Sequence, residues 1–482
     1  MIRKLKPGLV MIALTAATTV VACSDRLTVP NFQSPTTAQI VADPATAIPL
    51  LVTGVLRDDR GALTGYVRDV GILGREIYNY TPTEGRNTSG YLTADVNNQA
   101  SFGATSGGGW ASQFFTIRDA FNTLNAIDSA PAGIFTDAQK TGVHGVMETQ
   151  SALAFLYIIN TRDSLGAPVD VYSDPTKLAP FVTRDSVFSY ITGTLNKAYT
   201  ELTSTGAALP SGVAMPSGYT GFTTPANYAK FNRAIAARVY AYRASLGTSG
   251  CGPARSAACY NLALTALGQS FIDPAGSLSL GVNDVYSSAA NDVTNGLANQ
   301  ATTAIVAHAK SDSGIMTKAD GVTLDDRFTR RLTKLSSPKQ PPTSVVAAPT
   351  TWDYSIYATR ADPVPVIRNE ELILLRAEAK YFTGDQVGAL ADINTIRTRS
   401  GGLVARGAFT SDADFLDELL YNRRLSLGFE GHRWVDMRRF GRLNLLTIDK
   451  PGHIVVSRLP IPQNECLSRA NQSGNLKGPG CT

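Results

Sequence analysis

FEGHRWVDMRRF, at positions 429–440, is the stretch of sequence that decides how the C-terminal third of the chain is interpreted. It contains five formally charged side chains and a histidine, which at first suggest a catalytic cluster or a basic patch. The preceding stretch, DFLDELLYNRRLSLG from Asp414, predicts a helix that Ser411 can cap, with Phe415 and Leu419 on one face. We therefore interpret the charged residues as a structural polar network that joins helices.

Two carboxylates of this network, Glu430 and Asp436, are expected to accept hydrogen bonds from arginines. The candidate donors are Arg423, Arg424, Arg433, Arg438 and Arg439. Phe429 and Trp434 are expected to pack between helix pairs. Buried arginine–carboxylate pairs fix geometry when every donor is satisfied, so this stretch is predicted to support the fold rather than to carry out chemistry.

The N-terminus has the layout of an exported lipoprotein. Arg3, Lys4 and Lys6 precede an uncharged apolar run, which is typical of a signal peptide over residues 1–22. The run ends in VVA followed by Cys23, an arrangement that resembles a bacterial lipobox, whose cysteine carries the lipid. Residues 23–36 are polar and contain two prolines, and they are predicted to form a tether. Ordinary cleavage beside an incidental cysteine is the alternative.

The overall composition indicates a globular protein and argues against nucleic acid as its partner. The chain has 482 residues, of which 43% are hydrophobic and 17% charged, as in a globular protein with a substantial core. Its net charge of +5 falls by three when the basic residues of the leader are removed, so nucleic acid is not expected as a partner. Proximity favours disulfides between Cys251 and Cys259 and between Cys466 and Cys481, although three connectivities are possible.

The dominant periodicity of the sequence is helical. Apolar stripes recur at Phe114, Ile117, Phe121 and Leu124, and again at Phe188, Ile191 and Leu195. Three helical stretches also combine a small residue with an aromatic residue three positions later: Ala154 with Tyr157, Ala237 with Tyr240, and Ala379 with Phe382. This combination is typical of tetratricopeptide-like helix pairs, although a generic helical bundle fits the periodicity equally well.

Motifs that would indicate catalysis are not found in a convincing context. The sequence contains no HExxH or P-loop motif, and its histidines, at positions 144, 308, 432 and 453, are not spaced as a ligand pair. The adjacent carboxylates Glu370 and Glu371 point in different directions on a helix, so they do not converge as in a glycosidase. We therefore expect no cofactor, no metal ligand and no catalytic residue.

Three blocks near the C-terminus closely resemble the SusD/RagB family of outer-membrane nutrient-binding lipoproteins. PVIRNEELILLRAEA and GDQVGALADINTIRTRSG match a helix and its partner, NRRLSLGFEGHRWVDMRR matches the strongest signature, and LPIPQNE matches the closing phrase. The matching signature residues are Arg423, Arg424, Glu430, Arg433, Trp434 and Asp436. Asn422 and Met437 depart from the usual residues, Glu and Leu, and both changes look tolerable.

The resemblance implies an all-α fold, with about four tetratricopeptide-like helix pairs as a scaffold and with loops and extra helices carrying the ligand site. A single domain is expected over residues 37–482, with its N-terminal part at about 37–250 and its signature part at about 260–482. The family implies a non-enzymatic protein that delivers oligosaccharides to a SusC-like TonB-dependent transporter at the cell exterior. A peptide or another oligomer as ligand is the alternative, and a glycoside hydrolase is a weaker one.

The ligand site is predicted from aromatic residues in loops, because sugar rings stack their C–H faces on aromatic rings. The first candidates are Trp110, Tyr286, Trp352 and Tyr354. A second set, in the stretch GREIYNY, comprises Arg75, Tyr78 and Tyr80. Packing against the scaffold is the alternative role for each of them, especially for Trp110, which opens an amphipathic helix.

Overall fold

Helices dominate the computed structural model, which describes residues 35–106, 109–174, 176–290, 292–298 and 304–481. The α-helices are α1 (Thr37–Ala42), α2 (Pro44–Leu73), α3 (Arg86–Leu92), α4 (Phe102–Ser106), α5 (Trp110–Asp128), α6 (Asp137–Arg162), α7 (Arg184–Ser204), α8 (Pro225–Leu246), α9 (Ala257–Gly268), α10 (Asp326–Arg331), α11 (Asn369–Phe382), α12 (Gln386–Arg399), α13 (Asp412–Ser426), α14 (Arg433–Arg439) and α15 (Gln463–Ser468).

Local sequence explains where the main helices begin and end. The Ser411 side chain accepts a hydrogen bond from the backbone of Asp414, so the predicted cap of α13 is present. Thr136 and Gln139 form a full capping box at the start of α6. Pro225 stands at the first position of α8, and Gly247, with a φ of +69°, ends that helix in the left-handed conformation that glycine adopts readily.

The long helices pack as four antiparallel pairs, which follow one another along the chain: α2 with α5, α6 with α7, α8 with α9, and α11 with α12. Close approach between α6 and α7 depends on Gly145, because a Cβ there would lie 2.5 Å from Cγ of Leu202. Ala154, Ala237 and Ala379 are buried in the same scaffold. The predicted all-α fold with about four helix pairs is therefore confirmed.

Short antiparallel strand pairs tie the connecting segments to this scaffold. The strands are β1 (Ile77–Asn79), β2 (Ala167–Pro168), β3 (Phe181–Val182), β4 (Gly281–Asp284), β5 (Ile305–Ala307), β6 (Leu332–Lys339), β7 (Thr350–Tyr354) and β8 (Val364–Arg368). β1 pairs with β5, β2 with β3, β4 with β8 and β6 with β7. Two of these four pairs, β1 with β5 and β4 with β8, join segments that lie far apart in sequence, so they fix where long connections lie.

Two disulfides occur in the described part of the chain, and they join Cys251 to Cys259 and Cys466 to Cys481. These are the pairs that sequence proximity favours. One buried apolar cluster contains side chains from Ile48 to Cys481, so both parts of the expected domain contribute to the same core. The predicted signal peptide and the lipid-bearing Cys23 lie outside the described residues. Among the helices that are described, none is long and apolar enough to cross a membrane.

Candidate ligand-binding site

A surface cleft of about 360 Å³ lies between α5, α6, α7 and the segment that follows β2. We call it the aromatic cleft. Its lining residues are Ile117, Ala120, Phe121, Leu124, Glu148, Ser151, Val169, Asp170, Val171, Tyr190, Thr194 and Lys197. It combines an apolar floor with polar groups of both charges, which is the usual composition of a small-ligand site.

The floor of the aromatic cleft comes from the predicted apolar stripe of α5. Ile117 is buried, as expected for a core residue, but Phe121 and Leu124 are only half-buried and line the cleft. Part of the apolar face of α5 is therefore left uncovered by α6 and the core. This part faces solvent, and a bound ligand could cover it.

Tyr190 is the most exposed aromatic residue of the cleft. Its side chain is 36% exposed, and its ring packs edge-on against Phe155 at a centroid distance of 5.2 Å. Burial of the remaining ring surface raises the pKa of the Tyr190 hydroxyl, so this hydroxyl stays protonated at neutral pH. The ring thus offers an apolar surface together with a hydrogen-bonding group, which suits the stacking of a sugar.

Polar side chains surround this apolar surface. Asp170 and Lys197 are exposed, while Ser151 and Thr194 are half-buried at the rim. Lys197 forms an ion pair with Glu148, which also lines the cleft. Hydroxyl, carboxylate and ammonium groups therefore stand within the same cleft, and they can both donate hydrogen bonds to a ligand and accept them.

Trp110, the first of the predicted ligand residues, is buried, and its ring contacts two other side chains. The Arg162 guanidinium lies 5.1 Å from the ring centroid, and Phe181 stacks on the ring at 6.4 Å with an interplanar angle of 12°. Trp110 also lines a second cleft, of about 350 Å³, whose walls are mostly small residues. Because Trp110 is only 5% exposed, little of its ring is available for stacking on a sugar, and its contact with a ligand remains a prediction.

The other first-rank candidates are also packed against the protein. Tyr286 is buried and its hydroxyl donates a hydrogen bond to the carbonyl of Arg60 at 2.9 Å. Trp352 is buried edge-on against Phe328 at 4.8 Å. Tyr354 is half-buried on Phe429, also at 4.8 Å. Their contact with a ligand remains a prediction, but the loop exposure on which that prediction was based is not observed.

The second-rank set lies in a buried polar cluster rather than at the surface. The Arg75 guanidinium donates to the carbonyls of Ile454 at 2.7 Å and Thr447 at 3.1 Å. Tyr78 is fully buried and its hydroxyl donates to Asp449. Tyr80, also buried, stacks on Tyr78. These residues hold the segment after α14 against β1, and their contact with a ligand remains a prediction.

The signature stretch forms the predicted polar network around Asp436. This carboxylate accepts hydrogen bonds from Arg423 at 2.7 Å and Arg439 at 2.9 Å. Arg439 also forms a two-point ion pair with the buried Glu378. Phe429 and Trp434 are completely buried, as expected. Asp436 thus links the end of α13 to α14 by charge-assisted hydrogen bonds.

The partners expected for Glu430 are wrong. Its carboxylate accepts from Arg331 at 2.8 Å and from Arg368 at 3.0 Å, two arginines that lie outside the signature stretch. Of the expected donors, Arg433 donates instead to the carbonyl of Gly74, and Arg424 to the carbonyls of Ser311 and Ser313. Arg438 donates to the carbonyls of Asn160 and Ser457. Nearby backbone carbonyls therefore satisfy arginines that the sequence pattern pairs with carboxylates.

Glu370 and Glu371 are both engaged in buried ion pairs. Glu371 accepts two hydrogen bonds from Arg238, at 2.7 and 2.6 Å, and Glu370 pairs with Arg368. Burial by itself raises their pKa values, but the arginines outweigh it and lower the pKa of each carboxyl to about 2. A carboxyl with so low a pKa is a poor general acid at neutral pH, so this pair gives no support to a glycosidase mechanism.

Tyr190 and Phe121 were not predicted as ligand residues, and the sequence contains a weak signal for only one of them. Tyr190 follows Phe188 of the apolar stripe by two positions, so on a helix it points about 200° further round, away from the stripe that contains Ile191 and Leu195. An aromatic residue off the stripe is a candidate for exposure. Phe121 offered no such signal, because a half-covered stripe and a fully covered one have the same periodicity.

Comparisons with known proteins find one family profile and several solved structures that are similar to this chain. The sequence profile of the SusD family matches residues 339–475. None of the curated proteins compared with the chain matches it. A SusD superfamily protein from Bacteroides vulgatus has a similar structure, with a TM-score of 0.63 and 15% identity over 88% of this chain and 97% of that one.

Two further solved structures are similar. A candidate outer-membrane nutrient-binding protein from Bacteroides vulgatus has a TM-score of 0.64 and 13% identity, over 88% of this chain and 94% of that one. A laminarin-binding SusD-like protein has a TM-score of 0.55 and 17% identity, over 88% and 97%. At these identities the structural likeness shows the fold alone.

Proposed function

We propose that this chain, whose residues 339–475 match the SusD family profile, binds oligosaccharide nutrients at the outer surface of the outer membrane and delivers them to a SusC-like TonB-dependent transporter. The aromatic cleft is the observation that carries the choice of ligand. Its half-buried Phe121 and partly exposed Tyr190 lie beside hydroxyl and charged groups, a combination that matches the apolar faces and hydroxyls of sugars. The laminarin binding of one similar protein supports the same ligand class.

Ligand affinity should depend on the Tyr190 ring. We expect Tyr190→Ala to weaken binding of the best glycan about tenfold, which corresponds to about 1.4 kcal/mol, because the ring supplies a stacking surface. Tyr190→Phe should lose less, since it retains the ring. Isothermal titration calorimetry on the soluble form that begins at Ser24 measures both variants. Phe115→Ala removes an exposed α5 aromatic residue outside the cleft, and it should bind like the wild type.

A screen against glycan and peptide libraries decides the ligand class. If a peptide binds and no glycan in the library does, the ligands of this protein are peptides and not oligosaccharides. Equal affinity of Tyr190→Ala and the wild type for a bound glycan would instead move the site away from the aromatic cleft.

Release of the protein from the membrane is expected when Cys23 is replaced by serine. The proposed lipid on Cys23 provides the anchor, and serine cannot carry it. Fractionation of cells that express the wild type and Cys23→Ser should show the wild type in the outer membrane and the variant in the soluble fraction. Unchanged retention of the variant in the membrane would contradict lipid anchoring at this residue.

The partner and the absence of catalysis belong to the same proposal. Purification of the lipidated protein from outer membranes should recover a large β-barrel protein with it.

Incubation of the soluble form with candidate polysaccharides should release no new reducing ends. New reducing ends would show a glycoside hydrolase and would overturn the assignment as a binding protein.

A further inference from the structure

A histidine and two glutamates meet on facing helices beside the aromatic cleft. His144 and Glu148 lie one turn apart on α6, and Glu201 lies on α7. One ligand atom from each of these residues lies within 4.8 Å of the other two. One imidazole nitrogen and two carboxylate oxygens form a ligand set that zinc accepts.

The histidine is oriented as metal-bound histidines usually are. Asp128, the last residue of α5, lies with its Oδ1 2.8 Å from Nε2 of His144. A carboxylate at this nitrogen holds the proton on Nε2, so the lone pair remains on Nδ1. Nδ1 faces Glu148 at 3.9 Å, which is too long for a hydrogen bond. This nitrogen is therefore directed toward Glu148.

The two glutamates keep acceptor capacity that no donor uses. Oε2 of Glu148 and Oε2 of Glu201 are buried atoms without a hydrogen-bond partner among the described residues. Three carboxylates, counting that of Asp128, surround the site and face one lysine. The site thus has a surplus of negative charge that a divalent ion would neutralise.

That lysine, Lys197, occupies the position between the glutamates. Its Nζ pairs with Oε1 of Glu148 and lies 3.3 Å from Oε1 of Glu201. The Lys197 side chain is 60% exposed, so its flexible stem can turn outward without disturbing the core. Zinc bonds of about 2.0–2.2 Å would draw the three ligand atoms closer together once the ammonium leaves.

We propose that His144, Glu148 and Glu201 form a zinc site that links α6 to α7, with Asp128 as the residue that positions His144. Lys197 holds the glutamates when the ion is absent and competes with it for them. Three protein ligands leave a fourth position for water, as in open zinc sites. The proposal does not depend on the identity of the nutrient ligand.

Zinc titration of the soluble form after treatment with a chelator tests this site. We expect saturable binding of one ion, measured by calorimetry, and a higher melting temperature with zinc. His144→Ala should weaken zinc binding at least about tenfold. Lys197→Met should strengthen it, because the competing ammonium is gone. Glu84→Gln changes a surface carboxylate paired with Arg86, and it should bind zinc like the wild type.

Two results would overturn the zinc site. The first is the absence of saturable zinc binding by the wild type. The second is binding that His144→Ala leaves unchanged, which would place the ion elsewhere. If His144→Ala fails to fold, as judged by circular dichroism, Glu201→Gln takes its place, because it keeps the size and hydrogen bonding of the side chain and should weaken zinc binding by a similar factor.

Discussion

Replacement of Glu430 by alanine is expected to lower the free energy of unfolding by about 3 kcal/mol, toward the lower end of the range for a broken buried ion pair. Glu430 is buried and accepts from Arg331 and Arg368. Without it, the two guanidinium groups lose a shared counter-charge inside the protein. The loss stays near the lower end because Arg368 keeps its ion pair with Glu370.

Denaturant unfolding of the wild type, Glu430→Ala and Glu430→Gln measures this effect. The glutamine variant retains an oxygen acceptor but loses the charge, so it should lie between the other two. Asp417→Ala is the matched control, because Asp417 pairs with Arg442 at 2.8 Å but is 66% exposed, and exposed pairs contribute little. A Glu430→Ala protein with normal stability that no longer binds ligand would show a role in binding instead of in folding.

Replacement of Asp59 by asparagine is expected to stabilise the protein increasingly as the pH rises from about 4 to about 7. Asp59 on α2 and Asp284 on β4 are both buried. Among the described residues, neither Oδ1 of Asp59 nor Oδ2 of Asp284 has a hydrogen-bond partner. The nearby Arg60 guanidinium donates instead to Asp292 at 2.8 Å. Burial, followed by the charge of Asp58, raises the pKa of Asp59 from 3.8 to about 7.

The direction of the pH effect follows from this raised pKa. Between about pH 4 and pH 7 the folded protein keeps a proton on Asp59 that the unfolded chain has already released. The contribution of Asp59 to stability is therefore fully present below about pH 4, falls as the pH rises through this window, and levels off above about pH 7. Asparagine does not titrate, so the variant escapes this loss, which is on the order of 2–4 kcal/mol.

Melting temperatures of the wild type and Asp59→Asn between pH 4.5 and pH 8 give the measurement. The test is how the difference in melting temperature between the variant and the wild type changes with pH. The size of this difference at a single pH is not informative, because asparagine also changes the hydrogen bonding independently of pH. Asp312→Asn, at an exposed aspartate, is the control for the substitution itself. A constant difference for Asp59→Asn would show that Asp59 titrates normally.

Several features of the fold could be predicted from local sequence. The Ser411 cap, the helical stripes and the small residues of the scaffold depend on residues three or four positions apart, and the structure contains them. The cysteine pairs also lie close in sequence, at separations of 8 and 15 residues. A short separation keeps two residues near each other in any compact conformation, so proximity alone favoured the observed connectivity.

The candidate site could not be predicted in the same way. Tyr78 and Trp352 have the composition expected of ligand residues, but chain segments distant in sequence cover them. Exposure of a side chain depends on everything that packs over it. The three proposed zinc ligands show the same limit, because Glu201 follows His144 by more than fifty positions and only the packing of α7 on α6 brings it near.

Two properties could be derived from the sequence alone: the protein is helical, and its C-terminal blocks carry the SusD family pattern. The sequence also predicted a structural polar network in FEGHRWVDMRRF. These properties are encoded in helical periodicity and in contiguous motifs. Tertiary structure alone decided that Glu430 pairs with Arg331 and Arg368, and that Tyr190 rather than Trp110 presents an exposed ring. Partner choice and exposure depend on distances between segments far apart in the chain, and local patterns contain no measure of those distances.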